Sequence, residues 1–167
     1  RTDGYHTWSE AEIARFLDHH GPGTKARLAL LLALNTGAAR QDLARMGWQN
    51  VTGDRIAYRR GKTGVEADLP ILPELAAELA NVPRDQLLFI THSGGKPYVT
   101  ASFGNWFKDQ ARAAGIESDR EPPAGLGDHV AEPRSGLDLR TVGHLDEFVF
   151  GLPAVEGGAG RQRSAEG

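Results

Sequence analysis

The run Leu28-Ala29-Leu30-Leu31-Leu32-Ala33-Leu34 constrains this chain more than any other seven residues in it. Successive apolar side chains leave a helix with no polar face, so a helix here has to be buried on every side, with the rest of the domain wrapped around it. The run is far shorter than the ~18 residues of a membrane span. It is therefore read as the central helix of a globular core, starting near Thr24 and ending at Gly37, which sits where a left-handed C-cap glycine belongs.

Other elements fall into place around it. Ser9-Glu10-Ala11-Glu12 has capping-box spacing ahead of Ile13, Phe16 and Leu17, which predicts a helix over about Trp8 to His20, stopped by Gly21-Pro22-Gly23. A short helix is expected from Arg40 to Met46. Arg55 to Arg60 alternates like a half-buried strand, Gly61-Lys62-Thr63-Gly64 turns the chain, and Val65 to Ile71 pairs back as the second strand of a hairpin. Pro73 opens a helix to Ala80. Leu87 to Ile90 reads as a short buried segment, Ser93 to Pro97 as a loop, and Thr100 to Ala114 as an amphipathic helix with Phe103, Trp106 and Phe107 on one face. The fold class is α+β, mainly α, with one small antiparallel sheet.

The texture changes after Ile116. The last 51 residues hold nine glycines and four prolines with no sustained period, as expected of a poorly ordered tail or of a GC-rich gene read out of frame. Charge divides at the same place. Residues 1–116 carry 14 Lys+Arg against 12 Asp+Glu, a balance of +2, and residues 117–167 carry 5 against 10, a balance of −5, which together make the chain's −3. At 167 residues the chain accommodates one domain, 1–116, with an acidic Gly/Pro-rich appendage, 117–167.

Several function classes recede. There is no cysteine, so disulfides and thiolate metal sites are excluded. The six histidines show no His-x-x-x-His spacing and no clustered acidic partner, and are expected to be solvated surface residues, including the adjacent pair His19-His20. No metal, cofactor or small-molecule substrate is implied. With no membrane-length apolar run and no basic-then-apolar start, the chain is read as cytoplasmic and free of the membrane. Gly61-Lys62-Thr63 is not a phosphate-binding P-loop, because Ile56 stands where that motif needs glycine.

Two segments carry the functional signal: Asn35-Thr36-Gly37-Ala38-Ala39-Arg40-Gln41-Asp42-Leu43, where the buried helix gives way to a short Arg-bearing one, and the hairpin tip Arg59-Arg60-Gly61-Lys62-Thr63-Gly64. Together, from about Thr7 to Ile116, they resemble the catalytic domain of tyrosine recombinases, the phage-integrase family, cut short at both ends. The resemblance implies breaking and rejoining of double-stranded DNA through a phosphotyrosyl link, without metal or cofactor. It implies a first catalytic arginine in the pattern Thr-Gly-x-Arg-x-x-(Glu or Asp)-Leu. This chain matches at Thr36, Gly37, Asp42 and Leu43, has Ala39 at the arginine position, and offers Arg40 as the next residue, about 100° further round a helix. It assigns Lys62 to the family's hairpin lysine, which protonates the leaving oxygen.

Arg59 and Arg60 are candidate phosphate contacts beside Lys62, against a plain solvent-facing role. The family's His-x-x-Arg, its later Gly-His and its tyrosine belong after Ile116. His129 and Arg134 have the wrong spacing, Gly143-His144 is a two-residue match, and the three tyrosines, Tyr5, Tyr58 and Tyr98, all precede that region. The expectation is a DNA-binding recombinase-like protein of mobile-element origin, defective in catalysis. Two alternatives stay open: a non-catalytic remnant that contacts an intact recombinase, and a pseudogene product without function.

Overall fold

A computed structural model describes residues 8–116, where the chain forms helices α1 (Glu10–His19), α2 (Lys25–Thr36), α3 (Arg40–Leu43), α4 (Pro73–Leu79) and α5 (Thr100–Ala113). Between α3 and α4 lies an antiparallel sheet in the order β1-β2-β3, with β1 Val51–Thr52, β2 Arg55–Arg59 and β3 Glu66–Pro70. Tyr5, His129, Arg134, His144 and the tail expected over 117–167 lie outside the described residues.

The central helix is as buried as its composition demands. Ala29, Leu30 and Leu32 have no exposed surface. Thr24 caps the start of α2 through the Arg27 N–H, and Gly37 ends it at φ +60°, a left-handed conformation that costs glycine little. α1 begins with the capping box read from the sequence: Glu12 N–H donates to Ser9 Oγ at 3.3 Å, and Ser9 N–H donates to the Glu12 carboxylate at 2.8 Å. Trp8 precedes this helix as a buried residue. Its ring lies 5.5 Å from Phe16 and 6.1 Å from Phe107, in an aromatic layer that joins α1 to α5.

Four differences from expectation have identifiable causes. α3 stops at Leu43 and does not reach Met46: the Arg45 and Met46 N–H groups bond to carbonyls three residues back, at Asp42 and Leu43, which tightens the chain out of the α-helix, and the Met46 carbonyl then accepts the Phe89 N–H at 2.8 Å. The backbone at Gly47 then abuts the Leu87 carbonyl so closely that any Cβ there would collide with it. That contact also sets the facing of the next segment. Phe89 and Ile90 turn into the core while Leu87 is 82% exposed, so 87–90 is not the uniformly buried segment expected. Strand β1 was not anticipated. Two residues are too few to show alternation, although the two-residue link Gly53-Asp54, with Gly53 at φ +63°, is a hairpin signal of its own.

The fourth correction concerns histidine. His20 is buried, with Nε2 2.9 Å from the Gln110 carbonyl and its ring 4.4 Å from Phe16, because the last turn of α1 packs under α5. His19 remains exposed. No helix of the described residues is long and apolar enough to cross a membrane.

Candidate nucleic-acid interface

The polar end of an apolar helix builds this site. Beyond Arg27, α2 carries no polar side chain until Asn35 and Thr36, and both act on neighbouring backbone. Asn35 donates to the Pro70 carbonyl at 2.9 Å and accepts the Leu72 N–H at 2.8 Å, fixing the exit of β3 against the helix end. The buried Thr36 hydroxyl donates to Leu32 C=O at 2.7 Å and accepts the Ala38 N–H at 3.2 Å, guiding the chain from α2 towards α3. Buried polar groups need partners, and here each partner is a backbone group of the element being positioned.

Strand β2 enters this network through Tyr58. Ile56 and Tyr58 point inward in the pattern exposed-buried-exposed-buried-exposed, and the Tyr58 hydroxyl donates to the Thr36 carbonyl at 3.1 Å. The Arg60 guanidinium and the Asp42 carboxylate both bear on the ionisation of that hydroxyl. Burial pushes the phenol above its ordinary value near 10, Arg60 pulls it part of the way back, and Asp42 adds a smaller upward push.

Asp42 also clasps the hairpin. Its two oxygens accept the Gly61 N–H at 3.1 and 3.3 Å. A Cβ at position 61 would come within 2.8 Å of Gln41 Nε2 and 3.0 Å of Asp42 Oδ1, so a larger residue there would have to displace the ends of both side chains and loosen the clasp. The turn closes through Gly64 N–H to Arg60 C=O at 2.7 Å and Arg60 N–H to Val65 C=O at 2.9 Å. Lys62 stands at the tip, exposed, with no ion-pair partner among the described residues. The arrangement is a fixed hairpin that presents a cation to solvent from a rigid base.

No protein-family model and no curated protein sequence matches the chain, but solved structures do. The lambda integrase catalytic core superposes over 69% of this chain and 73% of its own, at TM-score 0.55 and 21% identity. The chain has the fold of a tyrosine recombinase catalytic domain. A lambda integrase tetramer bound to a Holliday junction matches over 74% of this chain at TM-score 0.56 and 19% identity, and XerA recombinase over 70% at TM-score 0.58 and 16% identity. This chain spans 40% and 45% of those two longer chains.

Within this recombinase-type fold the remaining candidates separate. Ala39 is the N-cap of α3 in extended conformation, outside the helix, and Arg40 is the first helical residue. The half-buried Arg40 side chain lies across Gly104 of α5, where a Cβ would collide with its guanidinium. It therefore packs α3 onto α5, whereas the hairpin tip rests on Gln41 and Asp42. Arg59 is exposed and donates Nε to the Gly64 carbonyl at 2.9 Å, stapling the turn from inside. So the structure brings Lys62, Arg59 and Arg60 together at one tip and sets Arg40 on α5.

Of the tyrosines, Tyr58 is buried with its hydroxyl engaged, and Tyr98 sits among His92, Phe103 and Trp106 at ring distances of 5.2, 5.6 and 5.5 Å. Sequence reasoning matched Thr36 and Asp42 to a pattern but gave them no task, and took Tyr58 only as a tyrosine in the wrong place. The inward phase of β2 is the signal that could have found Tyr58.

Proposed function

We propose that this chain binds double-stranded DNA through the hairpin tip and α3, as a recombinase- or integrase-type domain that does not itself form a phosphotyrosyl intermediate. The observation that carries the reading is Lys62, an unpaired cation on a hairpin clasped to α3 by Asp42, with two arginines beside it. A cation on a fixed hairpin loses little loop entropy on meeting a phosphate, which is what preorganisation contributes to affinity. Lambda integrase structures in this fold are bound to DNA, and that likeness supports the same partner here. Residues 1–116 form the recombinase-type unit and 117–167 an acidic appendage. A cytoplasmic protein of mobile-element origin that meets other recombinase protomers on DNA is the setting this implies.

Defective catalysis follows from the tyrosines. Removing one fixed charge donor costs a rate factor of ~10²–10³ and leaves a slow enzyme, whereas without a nucleophile the covalent route closes. Tyr58 is buried behind its hydrogen bond to Thr36, and Tyr98 is packed in an aromatic cluster. A nicked duplex that traps covalent intermediates is expected to yield none with the full chain; a protein–DNA adduct surviving denaturation would overturn this.

Binding is tested by fluorescence anisotropy on a duplex of about 20 base pairs across a salt series. The logarithm of affinity should fall linearly with the logarithm of salt, by about 0.9 per phosphate contact. A protein-contact role has less support, because the large exposed apolar side chains among the described residues, Val65, Leu87 and Val99, lie in three separate segments.

A further inference from the structure

We infer that the pocket between the β1–β2 turn and helix α4 docks a peptide segment of a protein partner, one that presents an aliphatic or aromatic side chain beside an Asp or Glu. This adds a second contact to the DNA-binding reading above and does not depend on it.

The floor of the pocket is built by convergence. Trp48 and Val51, Ile71, and Val82 come from three stretches of chain, and each is half-buried against the core with part of its surface uncovered. They meet around the buried Leu79 in a concavity of about 430 Å³, within the range of ligand pockets. Half-covered apolar side chains scattered over a surface are ordinary. Four that line one concavity make a site that an apolar group can fill by displacing water. The exposed Ala76 of α4 lines the same pocket, and its small side chain keeps the space open.

The rim carries a cation whose position is fixed. Trp48 donates its indole N–H to the Pro83 carbonyl at 2.9 Å and meets Phe89 edge-on at 5.2 Å, so its ring is held in place. The guanidinium carbon of Arg84 lies 3.7 Å from the centre of that ring. Stacking on the indole orients the guanidinium and leaves the N–H donors at its edge for a planar, bidentate acceptor such as a carboxylate. Among the described residues no carboxylate pairs with it. Tryptophan and arginine in contact beside an apolar pocket are the side chains that carry most of the energy of protein interfaces.

A second charge on the rim selects the class of partner. Asp54 also lines the pocket, held by the Ile71 N–H on its carbonyl at 2.8 Å, and its carboxylate has no ion-pair partner among the described residues. A DNA backbone has no apolar group for the floor and would meet Asp54 with like charge. A peptide supplies an apolar side chain for the floor, a carboxylate for Arg84, and a backbone N–H or basic side chain for Asp54. The site also stands apart from the hairpin tip. Asp54 precedes β2 and Lys62 follows it, so the five residues of that strand, roughly 17 Å, lie between them and both sites can be filled at once.

The test is a selection of phage-displayed random heptapeptides on the immobilised full chain. Enriched peptides are then synthesised and measured by fluorescence anisotropy with the wild type and with Arg84→Ala, Arg84→Glu, Ala76→Leu and Lys62→Ala. Thermal melts fix a temperature at which all are folded. Sequences that set an apolar residue beside Asp or Glu should be enriched. Arg84→Ala should weaken their binding about tenfold, and Arg84→Glu should abolish it. Ala76→Leu suits a helix and fills the pocket, and should also weaken binding about tenfold or more. Lys62→Ala should leave peptide binding within about twofold of the wild type, because a distant charge contributes little. On the duplex of about 20 base pairs, Arg84→Ala should leave affinity and salt slope unchanged.

No enrichment of acidic-apolar sequences, or enriched peptides whose binding ignores Arg84→Ala or Ala76→Leu, would overturn the inference. So would DNA affinity that falls with Arg84→Ala while no peptide is enriched, since Arg84 would then be a phosphate contact. A wild type that binds these peptides and no DNA would sink the DNA-binding reading and leave this inference standing.

Discussion

The two ends of helix α2 use the same kinds of side chain for opposite purposes. At its start the cations are engaged by protein groups. Arg27 pairs with Glu78 at 3.0 Å and donates to the Leu17 carbonyl at 2.8 Å, while the other Glu78 oxygen accepts the Gly23 N–H at 2.9 Å. Lys25 donates to the Thr91 carbonyl, with its ammonium 5.8 and 5.9 Å from the Tyr98 and Trp106 ring centres. At its end the uncharged groups are closed in and the cations are held open: Asn35, Thr36 and Tyr58 all bond to backbone, and Lys62 faces solvent. Charge that is neutralised inside a fold ties it together, and charge that is propped at the surface by a satisfied polar base remains available to a ligand.

The largest expected effect tests the closed end. Arg27→Met would leave Glu78, with a side chain only 6% exposed, as an uncompensated carboxylate, at a cost of about 3–5 kcal/mol. Urea or thermal unfolding checks this, and a loss below about 1 kcal/mol would mean the pair is not structural. Asp42→Ala should come next, costing about 1 kcal/mol for a half-buried clasp and weakening DNA binding several-fold as the hairpin loosens. Were stability to fall with DNA affinity unchanged, the clasp would hold the fold but not the site.

Lys62→Ala should leave stability within about 0.5 kcal/mol of the wild type and affect binding alone. The smallest effect concerns pH. With the folded pKa of Tyr58 above the usual value near 10, its contribution is intact below pH 10 and is lost as pH climbs beyond that, because the unfolded chain gives up the proton first. Melts between pH 9 and 11 should show that decline, reduced in Tyr58→Phe; an identical decline in both proteins would place its cause elsewhere.

What could be read in advance follows the range of the interactions. An all-round apolar helix, a capping box, a C-cap glycine and a proline-opened helix are set by residues within a turn of each other, and α1, α2 and α4 appear within a residue or two of their expected bounds. The hairpin and its lysine tip were legible for the same reason. Arg40 lying over Gly104, Met46 yielding its carbonyl to Phe89 and His20 buried against Gln110 depend on partners 43 to 90 positions away, which no local pattern records. The clasp of Asp42 on Gly61 belongs with them. Both residues stood out singly, and only the fold shows that they meet.

The central claim is that the hairpin tip is a phosphate-binding surface, and the salt dependence of DNA binding for wild type and Lys62→Ala tests it most directly. The account predicts a linear fall in log affinity with log salt for the wild type, shallower by about 0.9 in the variant, with matching thermal melts. Binding that ignores salt, or a slope that Lys62→Ala leaves unchanged, would contradict it.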